Sequence, residues 1–130
     1  MLFNNYGDEN LVILCAGDNA AHLFFEDENE RKYELLVIYY GDNEEQFKDK
    51  FKTFDHFISI KGYKFNIIKK YYNENIKFFK NYKNILIPDD DIYLKTKDIN
   101  NFFKIFDDKQ LMLAQPSLIG YFSHAITLHR

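Results

Sequence analysis

The chain has 130 residues, of which 46% are apolar and 18% aromatic, enough for one domain over residues 1–130 with its own core and too short for two. Its 17 basic and 20 acidic side chains give a net charge of -3 with no block of five like charges, which excludes bulk attraction to nucleic acid. No apolar run approaches the roughly 20 residues of a membrane span, and Met1 is not followed by a basic segment with a hydrophobic core, so no membrane span or secretion is expected.

In chain order, residues 11–16 and 35–40 are continuous runs of β-favouring apolar residues, as expected for strands covered on both faces of a parallel sheet. Cys15 lies in the first run; a lone cysteine there reads as a buried small hydrophobe in a reducing, cytoplasmic setting. The acidic stretch 26–30 reads as a surface loop. Phe47, Phe51 and Phe54 then recur at helical spacing. Residues 57–60 form a third strand, Ile68, Tyr72 and Phe79 mark a second helix, and residues 85–87 form a fourth strand. Ile99, Phe102, Phe103 and Phe106 mark a third helix, capped by Thr96 with Asp98 in its first turn. Residues 111–114 read as a fifth strand. Strands alternating with helices predict an α/β fold, a Rossmann-like, mostly parallel sheet flanked by helices.

Such sheets bind ligands beyond the carboxyl ends of their strands. There the chain places Gly17-Asp18-Asn19, Gly41-Asp42-Asn43, Lys61-Gly62-Tyr63-Lys64, Asp89-Asp90-Asp91 and Gln115-Pro116-Ser117. Five polar clusters are thus expected on one edge.

Three adjacent carboxylates straight after the apolar Ile85-Leu86-Ile87-Pro88 repel one another near the sheet, a cost that a hard divalent cation with oxygen ligands offsets. In an extended stretch Asp89 and Asp91 point the same way and can share one ion, while Asp90 points elsewhere. The alternative is an acidic turn in solvent. Lys61 and Lys64, flanking Gly62 before a helix, are either phosphate receivers or solvated lysines. His22, His56, His124 and His129 lack the paired spacing of a zinc site, and neither a P-loop nor a dinucleotide fingerprint is present.

Together, Ala16-Gly17-Asp18-Asn19, Tyr39-Tyr40-Gly41-Asp42, Lys61-Gly62-Tyr63-Lys64, Ile87-Pro88-Asp89-Asp90-Asp91 and Ala114-Gln115-Pro116-Ser117 through Ser123-His124-Ala125-Ile126-Thr127-Leu128 resemble the blocks of an uncharacterised family of glycosyltransferases with the GT-A fold. The resemblance implies a nucleoside-diphosphate-sugar donor, with Asp89 and Asp91 of the D-x-D motif holding Mn²⁺ or Mg²⁺ and His124 as a third ligand or phosphate contact. It also implies that Gly17, Asp18, Asn19 and Asp42 face the nucleoside; Lys64, as a phosphate receiver at a helix start, and Asp90 complete the expected donor-binding set. The hydroxyl acceptor is not implied. Enzymes of this fold are generally longer, and only Asp107 and Asp108 lie late enough to be catalytic bases. The expected function is therefore a metal-dependent glycosyltransferase or its donor-binding half, or else a catalytically silent nucleotide-sugar-binding or partner-binding module. Apolar surface left where a second half would pack predicts self-association or exposed aromatics.

Overall fold

A computed structural model describes residues 9–20, 30–92 and 94–115. Its first two strands, β1 (Asn10–Ala16) and β2 (Glu34–Tyr39), are the two longest apolar runs and are almost completely buried. They pair in parallel from Leu11 opposite Glu34 to Ala16 opposite Tyr39. Two shorter strands, β3 (His56–Ser59) beside β2 and β4 (Asn84–Leu86) beside β1, complete a parallel sheet of order β3-β2-β1-β4. The α/β class expected from the alternation of periods is therefore present.

Because side chains alternate along a strand, each central strand feeds two cores. Val12, Leu14, Leu35, Val37 and Tyr39 point to one face, where Phe47 of α1 (Glu44–Lys50) and Ile99 and Phe103 of α4 (Thr96–Asp108) cover them. Leu11, Ile13, Cys15, Leu36 and Ile38 point to the other, under Ile67 of α2 (Lys64–Glu74) and Phe79 of α3 (Ile76–Phe79). Burying each of these side chains contributes about 1.5–3 kcal/mol before the entropy of ordering it is subtracted. Among the described residues, no helix is long and apolar enough to cross a membrane.

Several expectations are corrected in detail. Phe54 lies beyond α1, which ends at Lys50, and packs on the core from the following loop. The run through Ile68, Tyr72 and Phe79 is broken at Asn75, whose side chain donates to the Tyr71 carbonyl, so it forms two helices. Thr96 is the buried first residue of α4; Lys95 is its N-cap, and Asp98 reaches back to accept from the Lys95 N–H at 3.3 Å.

Residues 111–114 are not a strand. Gln110 adopts φ 50°, its N–H bonds the Asp107 carbonyl at 3.0 Å, and the Leu111 N–H bonds the Phe106 carbonyl at 3.0 Å, a Schellman termination of α4. Met112 and Leu113 beyond it are 98% and 91% exposed, because no described strand lies on the outer side of β4 to receive them. Of the acidic stretch 26–30, all but the exposed Glu30 lies outside the described residues.

Candidate functional site

The chain enters β2 and then β3 on one side of β1 before crossing to β4 on the other, so the strand order reverses between β1 and β4. Loops leaving the carboxyl ends of these two strands splay apart there, which is where open parallel sheets form their binding crevice.

Pro88, two residues past β4, is buried and cannot donate to a ladder, and the chain turns at once. The Ile92 N–H meets the Asp89 carbonyl at 3.4 Å. The acidic triplet is thus a turn rather than an extended stretch, and its three carboxylates have different surroundings. Asp90 points inward: its Oδ2 accepts from the Gly17 N–H at 3.0 Å and from the Tyr40 hydroxyl at 3.0 Å. Asp89 forms an ion pair with Lys64, and Asp91 is exposed.

Asp18 locks the ends of β1 and β2 together. Its Oδ1 accepts from the Tyr39 hydroxyl and from the Asn43 N–H at 3.2 Å, and its Oδ2 accepts from the Asp42 N–H at 3.0 Å. The Asp42 N–H first, then the Tyr39 hydroxyl, hold its carboxyl below the usual carboxylate range. Gly41 is required by this closeness, since a Cβ there would stand 2.6 Å from Tyr39 Cζ and collide with the Asp18 carboxylate. Lys61 caps the same loop through the Tyr40 carbonyl at 2.9 Å, the Gly41 carbonyl and the Asp42 carboxylate at 2.6 Å. Asn19 is exposed. Both oxygens of Asp18 are therefore already occupied by protein donors, so nucleoside contacts expected of it would have to displace internal bonds.

A cleft of about 300 Å³ opens beside this knot, lined by Cys15, Tyr40, Gly62, Tyr63, Lys64, Asp89 and Asp90. Lys64, the first residue of α2, reaches across it to the Pro88 carbonyl at 3.0 Å and to Asp89. Gly62 turns the chain into α2 at φ 145°, a conformation that side-chain-bearing residues rarely adopt. Burial, and then the bond to Asp90, push the Tyr40 hydroxyl up to about 12. Burial likewise pushes the Cys15 thiol up to about 11, with Lys64 opposing it.

The loops after all four strands thus meet on one edge. Gly17, Asp18, Asp42, Lys64, Asp89 and Asp90 come together there, Asp91 lies on the same turn, and His124 is outside the described residues. For a hard cation, Asp89 and Asp91 offer suitable oxygen donors. However, among the described residues no three His, Cys, Asp or Glu side chains converge as a ready-made metal site. Asp89 is shared with Lys64, so a cation would take the place of that ammonium. Tyr40 and Tyr63 belong to the cleft although their chemistry gave no reason to single them out; the signal was their position beside the glycines of the strand-end loops.

Compared with known proteins, the chain matches no family model, and no curated protein or solved structure is detectably similar to it.

Proposed function

We propose that the chain is a nucleotide-sugar-binding domain of the GT-A type, the donor-binding half of a metal-dependent glycosyltransferase. The observation that carries this reading is the meeting of the loops after β2, β3 and β4 with the carboxyl end of β1 in one cleft, at the point where a parallel sheet reverses its strand order. That cleft holds a lysine at a helix start and carboxylates on the facing turn, the groups a diphosphate and its counter-cation require.

In this reading Lys64 leaves Asp89 to hold the diphosphate, and Asp89 and Asp91 receive Mn²⁺ or Mg²⁺, with His124 as a third ligand. The metal supplies charge neutralisation of the departing diphosphate. Asp90 keeps its structural bonds and holds the Gly17 loop and the Tyr40 ring around the donor. The acceptor is a hydroxyl compound, and the setting is cytoplasmic. Exposed Ile85, Ile87, Met112 and Leu113 offer an apolar surface for a second copy.

One observation favours a silent donor-binding module over a complete enzyme. Asp107 bonds Lys83 at 3.0 Å and Asn84 at 3.1 Å at the amino end of β4, the edge opposite the cleft, and Asp108 pairs with Lys104. Neither is placed to deprotonate an acceptor. Titration calorimetry with uridine, guanosine and adenosine diphosphates, each with and without Mn²⁺, tests the binding reading, which predicts metal-dependent binding of at least one. Release of free sugar from the matching nucleotide sugar separates enzyme from module. Absence of binding by all three contradicts both.

A further inference from the structure

Tyr63 lines the cleft without a part in holding phosphate or cation, and Phe65, outside the cleft wall, has its ring centroid 5.6 Å from the Lys64 ammonium. Tyr63 is 84% exposed and its neighbour Phe65 is 70% exposed, whereas Tyr33, Tyr39, Phe47, Phe51, Phe79 and Phe103 are buried in the core. An exposed ring is ordinary on a protein surface, and what sets Tyr63 apart is its place in the cleft wall. Tyr63 is the N-cap residue of α2, set by the turn at Gly62, and it lines the same cleft as Tyr40. Tyr40 is 38% exposed and fixed: its hydroxyl donates to Asp90, and its Cε2 would lie 2.9 Å from a Cβ at Gly17. The cleft therefore has one clamped aromatic ring and one whose side chain has no bonded partner among the described residues, with Lys64 directly after the latter in sequence.

The loops expected to read the nucleoside are, by contrast, engaged with one another. Asp18 is held by Tyr39, Asp42 and Asn43, and Lys61 occupies the carbonyls of Tyr40 and Gly41. What these loops still offer a base are exposed side chains such as Asn19 and Asn43, since the Asp18 carboxylate and the Tyr40 and Gly41 carbonyls are taken. A flat π surface needs none, because stacking is indifferent to the base's hydrogen-bonding pattern.

Resting on the proposed function, we infer that the nucleobase of the ligand stacks on Tyr63 against the Tyr40 side of the cleft while Lys64 holds the phosphates. The ligand class is then a nucleoside diphosphate recognised by its ring and its charge, with weak discrimination among bases. A sugar ring on the same tyrosine is the competing outcome.

The test compares wild type, Tyr63→Ala and Tyr63→Phe for binding of uridine, adenosine and guanosine diphosphates, inorganic pyrophosphate and ribose 5-phosphate, all with Mn²⁺. Tyr63 is on the surface, so both variants should melt with the wild type. The expected result is a roughly tenfold weaker affinity of Tyr63→Ala for the nucleotides, the scale of one lost base stack, with pyrophosphate binding unchanged and Tyr63→Phe close to wild type. Nucleotide binding unaffected by Tyr63→Ala overturns the inference and leaves the proposed function standing. Equal losses for nucleotide and pyrophosphate overturn it in favour of an electrostatic or folding role, and an equal loss for ribose 5-phosphate overturns it in favour of sugar contact. A wild type that binds none of these probes removes the proposed function and this inference together.

Discussion

The Gly17 N–H donates to Asp90 Oδ2 at 3.0 Å, joining the loop after β1 to the loop after β4 across the point where strand order reverses. The same oxygen also accepts from Tyr40, so one carboxylate fixes a backbone turn and a ring of the cleft wall. Asp90→Asn keeps the shape but weakens both bonds, and should lower stability by about 1 kcal/mol, the scale of one part-buried hydrogen bond to a charged acceptor. Asp91→Asn, on the exposed side of the same turn, should cost nothing or slightly stabilise by easing repulsion with its neighbours. Urea denaturation of the two variants checks the contrast.

Gly41 is a steric requirement rather than a conformational one. Gly41→Ala should cost about 1–3 kcal/mol, as overpacking of a tight site does, because the methyl group collides with the Asp18 carboxylate and the Tyr39 ring. Gly17→Ala meets only the edge of the Tyr40 ring and should cost less. Denaturation midpoints give the order.

Acid stability should depend on Asp18. Its folded pKa lies below the value of 3.8 taken for the unfolded chain, so its contribution is full above that pH and is lost as pH falls through the folded value. Asp18→Asn should flatten the acid limb of the stability profile, leaving the portions due to Asp107, held low mainly by Lys83, and Glu44, held low mainly by Lys48. At the other end, Tyr40 ionises near 12 when folded and at 10.0 otherwise, so stability should fall as pH rises between these values, less steeply in Tyr40→Phe. Urea midpoints measured across pH give both limbs.

Cys15 lines the cleft yet is 3% exposed, and its thiol is pushed up to about 11. It should react slowly with a thiol-specific disulfide reagent in the native protein and rapidly in denaturant. Fast labelling of the native chain would show that the cleft opens to the carboxyl end of β1.

The sheet was legible because its central strands are buried on both faces, and unbroken runs such as 11–16 and 35–40 have no other comfortable home. Residues 111–114 misled because a four-residue apolar run looks the same whether it pairs in a sheet or follows a helix cap. What decides is a neighbour in space, which β4 lacks on its outer side among the described residues. The position of the cleft was legible for the same reason as the sheet, since parallel crossovers bring strand ends to one edge. The partners within it were not: nothing in the order of residues says that Lys64 meets Asp89, that Asp90 turns inward to Gly17, or that Asp18 is used up in joining two loops.

The central claim is that the turn at Asp89 and Asp91 holds a cation against a diphosphate, and thermal melting of wild type and Asp91→Asn, each with and without Mn²⁺ plus uridine, guanosine or adenosine diphosphate, tests it most directly. Asp91→Asn removes one charge from a hard-cation ligand, so the wild type should melt higher only when metal and nucleotide are both present, and the variant should lose that gain while its unliganded melting point holds or rises slightly. No metal-dependent gain in the wild type with any of these nucleotides, or an equal gain in Asp91→Asn, would contradict the account.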